Sequence, residues 1–492
     1  MSTVDERATK LVGNVIDGEE RGASSDATFE KLAPATGEPL STVARSDRAD
    51  VEAAVAAARA AQPAWARQPP PDRGAVLRRI AQLLERDADE MAGIVAAETG
   101  KAPGDARGEV GAAIEMGYFV AGEGRRLYGR TTTSAIPNRA AMTIRQPLGV
   151  AGLIIAANTP IANVAWKVFP AMLCGNGAVL KASEDTPETA LAFSRLAAEA
   201  EVPPGILNVV QGYGPEAGQP LVEHPGVDVV SFTGSTAVGR MIARVAGERM
   251  AKVCLELGGK NPLVVCDDAD LEGAAEAAAL SAYSNAGQRC AAASRIIVFD
   301  AVYDRFRELL IERTTAQRVG PTDDDDLGPV INEGQLDQML AAVDQARNEG
   351  AEVLAGGERL AGDGHDGGFY MAPTVLEGAP LDSDVACREL FGPITTMHRV
   401  SGFEEAIEAA NATDYGLTAA IWTDSVHRAQ EFVARVHSGV ASVNGPTYGS
   451  EPHMPFGGEG QSGNGWREAG TEALDVYSDI KTVYVRHDPD RA

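Results

Sequence analysis

The chain opens on helical patterning. Residues 50–61 (DVEAAVAAARAA) have high helix propensity, and Pro63 is expected to end that helix. Three prolines at 69–71 mark a break, and residues 72–86 and 108–126 read as further helices. Residues 128–150 differ in character. Strand-forming runs at 131–133 and 142–144 flank a Pro137-Asn138 turn, which predicts a hairpin projecting from the body. From Gly149 onward, short apolar runs alternate with helical stretches. Strands are expected at 150–156, 178–181, 207–210, 227–232 and 252–257, with helices at 162–173, 187–200 and 236–246. That alternation implies βαβ units and a mostly parallel sheet. A second α/β stretch follows, with strands at 263–265 and 296–299 and helices at 271–286 and 302–313. The acidic run 323–326 and the glycine-rich 362–368 read as loops. Residues 474–485 alternate like an edge strand that another subunit could pair with.

Composition narrows the class. A chain of 492 residues has room for more than one domain with its own core, and 44% hydrophobic residues is ordinary for a globular protein. A formal net charge of −27 repels phosphate backbones and anionic lipid, so nucleic acid and membrane surfaces are poor partners. The cysteines, Cys174, Cys254, Cys266, Cys290 and Cys387, are odd in number and form no CxxC pair. A disulfide framework and a structural zinc site are disfavoured, no metal site is read, and a reducing, cytoplasmic setting fits. Residues 1–21 carry no apolar leader, and no apolar run is long enough to span a bilayer.

The candidate chemistry lies at the ends of the expected strands. Cys290 follows a helix in Asn285-Ala-Gly-Gln-Arg-Cys290, among small residues that let backbone amides approach a ligand. A nucleophilic cysteine must be accessible and partly thiolate. An isolated cysteine is more often a core residue. Glu256 lies at the end of an apolar run, before Gly258-Gly259, where strand ends place functional groups, though a surface carboxylate fits that place as well. Asn158 follows the 150–156 run, either as an amide donor to an oxyanion or as a helix cap. Phe232-Thr-Gly-Ser-Thr236 joins a strand to a helix whose N-terminus, with Gly234 and Ser235, suits a pyrophosphate. Lys181 and Glu184 also lie past a strand. They suit ribose hydroxyls, the carboxylate favouring NAD over a 2′-phosphate, or else form a solvated loop.

Six motifs in order resemble the aldehyde dehydrogenase superfamily, collinear over about residues 15–485. They are KASE at 181–184, FTGST at 232–236, LELGGK at 255–260, GQRC ending at Cys290, ELFGP at 389–393 and PFGG at 455–458. The resemblance implies an α/β fold of three parts. A Rossmann-like coenzyme domain takes residues 1–125 and 148–258, an α/β catalytic domain 259–464, and a β oligomerisation arm 126–147 and 465–492. It implies oxidation of an aldehyde to the carboxylic acid with NAD, NADP being the alternative. Cys290 forms a thiohemiacetal and then a thioester, Asn158 and the Cys290 N–H hold the oxyanion, and Glu256 activates water. Lys181, Glu184, Gly234, Ser235, Leu257, Glu389 and Phe391 hold the cofactor. Tyr118, Asn163, Trp166, Arg289, Tyr448, His453 and Phe456 line the substrate mouth, with Arg289 either a partner for a substrate carboxylate or an ordinary structural arginine beside the nucleophile. A homodimer or homotetramer is expected. Coenzyme-A-acylating relatives often lack the glutamate of LELGG, so Glu256 points to the hydrolytic branch. A cofactor-independent thiol esterase is the other alternative. Ala156-Ala-Asn-Thr-Pro160 departs from the common pattern by losing two aromatic rings, which leaves the aldehyde unread.

Overall fold

A computed structural model describes residues 10–362 and 364–491. Residues 1–9, which begin both the leader-free stretch and the expected coenzyme domain, lie outside the described residues, as do 363 and 492. The early helices are α1 (Arg48–Arg67), α2 (Pro70–Arg86), α3 (Ala88–Thr99) and α4 (Pro103–Glu123). Pro63 does not end α1; it lies inside it. Proline removes one helical hydrogen bond, but tertiary anchors hold the last turn. Trp65 Nε1 donates to the carbonyl of Met172 at 2.8 Å, and Gln62 donates to that of Gly175 at 3.0 Å. Pro70 opens α2 in the first helical turn, where a missing N–H costs nothing.

Two seven-stranded sheets form the body. The first runs Lys252–Glu256, Val229–Thr233, Val150–Ile154, Gly177–Lys181, Leu207–Val210, Asn14–Ile16, Glu19–Arg21 in space. Its first five strands are parallel, and the last two join antiparallel. The helices α5 (Pro160–Leu173), α6 (Pro187–Glu199) and α7 (Thr236–Glu248) connect these strands. In register, Ile154 pairs with Lys181, Lys181 with Val210, and Thr233 with Glu256. The carboxyl ends of the parallel strands therefore form one edge, the place where open α/β sheets hold ligands.

The second sheet runs Glu352–Ala355, Thr374–Glu377, Ile394–Val400, Ala293–Phe299, Asn261–Val265, Thr418–Trp422, Val440–Val443. Only Glu352–Ala355 is antiparallel. The helix α8 (Leu271–Tyr283) packs on it. It stops short of the expected Ala286 because Asn285, Ala286 and Gly287 turn left-handed, at φ 56°, 52° and 67°.

The expected hairpin is present, as Thr131–Thr133 and Arg139–Pro147, with Asn138 at φ 59° in its turn. Ser478–Arg486 pairs along the whole of Arg139–Pro147 and completes a three-stranded arm. Residues 465–477, expected in the arm, are instead packed under the first sheet: Ala469, Leu474, Val476 and Tyr477 belong to the core that holds α5. They turn inward because their apolar side chains have no cover in a thin arm. No helix among the described residues is long and apolar enough to cross a membrane.

Candidate active site

The candidate residues meet where the carboxyl ends of the first sheet face the amino ends of the second. Glu256 ends Lys252–Glu256, and Asn261 begins the next strand five residues later. Cys290 lies three residues before Ala293–Phe299, and Glu389 five before Ile394–Val400. Glycines make this convergence possible. A Cβ on Gly258 would lie 1.9 Å from a carboxylate oxygen of Glu389, and one on Gly259 would lie 2.6 Å from the carbonyl of Cys290. Asn261 then ties the nucleophile loop down, its amide donating to the carbonyls of Cys290 at 2.8 Å and Ala292 at 2.9 Å. Gly287 carries a left-handed φ and packs against the carbonyl of Gly392, so it has no room for a side chain.

The end of Glu256's strand is held on both sides. Gly234 donates its N–H to the carbonyl of Glu256 at 3.1 Å, and Leu257 donates to that of Ser462 at 3.0 Å. Asn464 accepts from the N–H of Leu255 at 3.0 Å. Residues 459–466 therefore brace this strand. Neither carboxylate oxygen of Glu256 has a hydrogen-bond partner among the described residues. Burial and the neighbouring Glu468 carboxylate hold Glu256 well above the usual carboxylate range. Glu468 itself is buried against Lys167, whose Nζ donates to its oxygens at 2.8 Å and 2.7 Å and to Ser231 at 2.8 Å. Sequence reading missed this pair; its one signal is Lys167 standing in the otherwise apolar run 164–173.

Cys290 is half-buried. Burial and the carboxylates of Glu389 and Glu256 push its thiol up to about 12, while the Arg289 charge and the Ala291 N–H pull it down. Glu389 is itself raised to about 7 by burial, against the opposing pull of the Gly259 N–H, which it accepts at 3.0 Å, and of Lys260. Asn158 offers its side-chain amide, which makes no hydrogen bond among the described residues. Its carbonyl accepts from Lys101 Nζ at 2.8 Å and from the Asn285 amide at 3.1 Å.

The nucleotide candidates line the same edge. Ser235 is the N-cap of the thirteen-residue α7 and accepts from the Val238 N–H, so with Gly234 it leads into a helix N-terminus suited to phosphate. A Cβ on Gly239 would lie 2.5 Å from Leu257, so that glycine lets α7 pack onto Leu257. Lys181 and Glu184 pair with each other at 2.9 Å, the lysine buried and the glutamate open to solvent. Phe391 has a left-handed φ of 55° beside Glu389.

Of the mouth candidates, two pairs come together. Trp166 meets Phe456 edge-on at 5.4 Å, and the Arg289 guanidinium lies 4.7 Å from the Tyr448 ring centre. The others have partners of their own. Tyr118 bonds Glu85 through its hydroxyl. It lies nine positions from Glu109 on α4, about half a turn round the helix from the residue that faces α5. Asn163 turns back to Thr159 at 2.9 Å, and His453 is exposed beside Glu451 at 3.7 Å.

A sheet edge suited to a nucleotide, next to a cysteine, a carboxylate and an amide, fits a nicotinamide-dependent oxidoreductase. Residues 21–483 match the model of the aldehyde dehydrogenase family, and the chain belongs to it. It is 38% identical over 99% of its length to the whole of the α-ketoglutaric semialdehyde dehydrogenase of Bacillus subtilis. It is 40% identical to the α-ketoglutarate semialdehyde dehydrogenase of Haloferax volcanii, over 96% of this chain and 98% of that one. Betaine aldehyde dehydrogenase of Staphylococcus aureus, solved with NAD+, superimposes at a TM-score of 0.95 with 32% identity, covering 97% of this chain and 95% of that one. The enzyme oxidises an aldehyde to the carboxylic acid with NAD or NADP.

Proposed function

We propose that the substrate is a short semialdehyde bearing a carboxylate at its far end, α-ketoglutaric semialdehyde in particular, and that the cofactor is NAD. The observation that carries the substrate class is Arg289, immediately before the nucleophile. Its guanidinium is half-buried, donates to Ser284 at 3.0 Å, and reaches the carboxylate of Asp105 only at 3.9 Å. A substrate carboxylate offers it a closer, charge-assisted partner. The B. subtilis and H. volcanii relatives are named for the same keto-acid aldehyde. For the cofactor, the solvent-facing Glu184 disfavours a 2′-phosphate, and the S. aureus enzyme was solved with NAD+.

The chemistry follows from the assembled groups. Cys290 loses its thiol proton to solvent water, and the Sγ thiolate attacks the aldehyde carbon, its electron pair forming the C–S bond as the carbonyl π pair moves to oxygen. The oxyanion that forms is held by the Asn158 side-chain amide and the Cys290 N–H. Bound cofactor supplies the hydride acceptor, and loss of hydride leaves a thioester on Cys290. Glu256, once ionised, takes a proton from water, whose oxygen attacks the thioester carbon. Collapse of that adduct expels the Cys290 thiolate and releases the acid. Five free thiols support a reducing compartment, and we place the enzyme in the cytoplasm. Ile480 and Tyr484, 58% and 59% exposed on the arm's outer strand, support a homodimer or homotetramer.

Reduced-cofactor formation tests the reading. Arg289→Ala is expected to raise KM for α-ketoglutaric semialdehyde about tenfold or more while leaving KM for an uncharged aldehyde of equal length within twofold. An equal effect on both aldehydes sinks the carboxylate assignment. A kcat/KM higher with NADP than with NAD sinks the cofactor assignment.

A further inference from the structure

Two buried networks converge on the backbone of Asn158. On one side is the pair Lys101 and Glu109, both buried and in contact through Nζ and a carboxylate oxygen. The other oxygen of Glu109 accepts the N–H groups of Ile161 at 2.9 Å and Ala162 at 3.3 Å. These are orphan donors of the first turn of α5, which the N-cap Thr159 leaves without a side-chain cap. Lys101 carries the network on to the Asn158 carbonyl at 2.8 Å. On the other side is Asn285, held left-handed at φ 56°. Its amide donates to the Asn158 carbonyl at 3.1 Å and to the Gln288 carbonyl at 3.2 Å, two residues before Cys290. Asp105 accepts its N–H at 3.3 Å.

A buried lysine–glutamate pair contributes little net stability, because desolvation offsets the attraction. A non-glycine residue in the left-handed region costs about 1–3 kcal/mol and persists where its surroundings over-determine it. Here both features act on one oxygen, and that oxygen belongs to the proposed oxyanion residue. We infer that Lys101 and Asn285 are positioning residues: they clamp the Asn158 carbonyl to the nucleophile loop and so fix the separation of the two oxyanion donors, the Asn158 amide and the Cys290 N–H. Lys101 sets the depth of the Asn158 loop from the α4 side. Asn285 joins that loop directly to the segment that carries Cys290. The inference rests on Asn158 being an oxyanion donor.

Lys101→Met and Asn285→Asp test it. The second keeps the shape and tolerates the left-handed backbone, but exchanges a donor for an acceptor, so the test stands if the first variant fails to fold. A misplacement of 1 Å costs about a hundredfold, and either variant is expected to lower kcat about ten- to a hundredfold. The dissociation constant for NAD, read by fluorescence quenching, stays within twofold. Lys101→Arg restores most of the rate. In an Asn158→Ala background the same substitutions change kcat less than twofold, because the group they position is gone. A merely structural role lowers kcat by the same factor in both backgrounds, and that result overturns the clamp, as does a kcat within twofold of wild type for both variants. If Asn158→Ala alone leaves kcat within twofold, the oxyanion reading fails instead.

Discussion

Gly457 offers the sharpest test of Glu256 as the base. It sits at φ 149°, a backbone conformation that side chains rarely adopt. A Cβ there would lie 2.7 Å from Glu256 Oε1, 2.9 Å from Arg467 Cδ and 3.0 Å from the carbonyl oxygen of Trp466. Carbon–oxygen contacts are comfortable from about 3.3 Å. The arginine stem can swing away. The backbone of 466–468 is pinned through the mutual hydrogen bonds of Phe456 and Glu468, at 2.8 Å and 2.9 Å. In Gly457→Ala the carboxylate is therefore the group that yields, by about 0.6 Å. At about a hundredfold per ångström of misplacement, thioester hydrolysis slows about ten- to twentyfold.

The assay is rapid mixing with NAD and aldehyde. As the proposed hydrolytic base Glu256 acts after the hydride has left, so the variant should show a fast burst of about one reduced cofactor per active site, followed by the slowed steady rate. Gly362→Ala is the control. It has φ 73° and open space around its Cβ, so it carries the backbone strain alone. It is expected to lose about 1–3 kcal/mol of stability with no burst. If Gly457→Ala slows the burst and the steady rate equally, or leaves kcat within twofold of wild type, the placement of Glu256 as the hydrolytic base is wrong.

Two further outcomes follow from the site and the arm. The Cys290 thiol is pushed up to about 12 by burial and nearby carboxylates, so little thiolate is present at neutral pH. In the cofactor-free enzyme its alkylation by iodoacetamide should rise about tenfold per pH unit from pH 7 to 9, and a plateau below pH 8 contradicts the electrostatic picture. Ile480→Glu with Tyr484→Glu changes side chains that are exposed on one chain, so it should leave the fold intact while shifting the mass measured by light scattering to that of a monomer. An unchanged assembly places the subunit contact elsewhere.

The five parallel strands of the first sheet and the helices between them were legible because each is a short apolar run or an amphipathic period with a clear break; the antiparallel Asn14–Ile16 and Glu19–Arg21 were not. Cys290, Glu256 and Asn158 could be proposed from motifs that fall just past strand ends, and the fold brings their segments to one edge. What escaped were contacts that no local pattern encodes. Pro63 reads as a helix stop, and only the long-range bonds of Trp65 and Gln62 explain why α1 runs through it. The helix before Cys290 looked longer than it is, because Asn285 and Ala286 carry no glycine to announce their left-handed turn. Tyr118 and Asn163 sit at plausible positions in sequence, but their side chains find nearer partners in Glu85 and Thr159. Lys101, Glu109 and Glu468 are charged residues in unremarkable surroundings, and only the fold shows that they are buried.

These buried charges share an arrangement. Lys101–Glu109 stands behind Asn158, and Lys167–Glu468 stands behind Glu256. Each pair brings no net charge, yet each is oriented. Lys101 presents its cation to the carbonyl of the oxyanion residue. Burial and the nearby Glu468 carboxylate together hold Glu256 well above the usual carboxylate range. The same carboxyl must then lose its proton before it can take one from water. Both pairs therefore stand behind the residues of the proposed mechanism rather than among them.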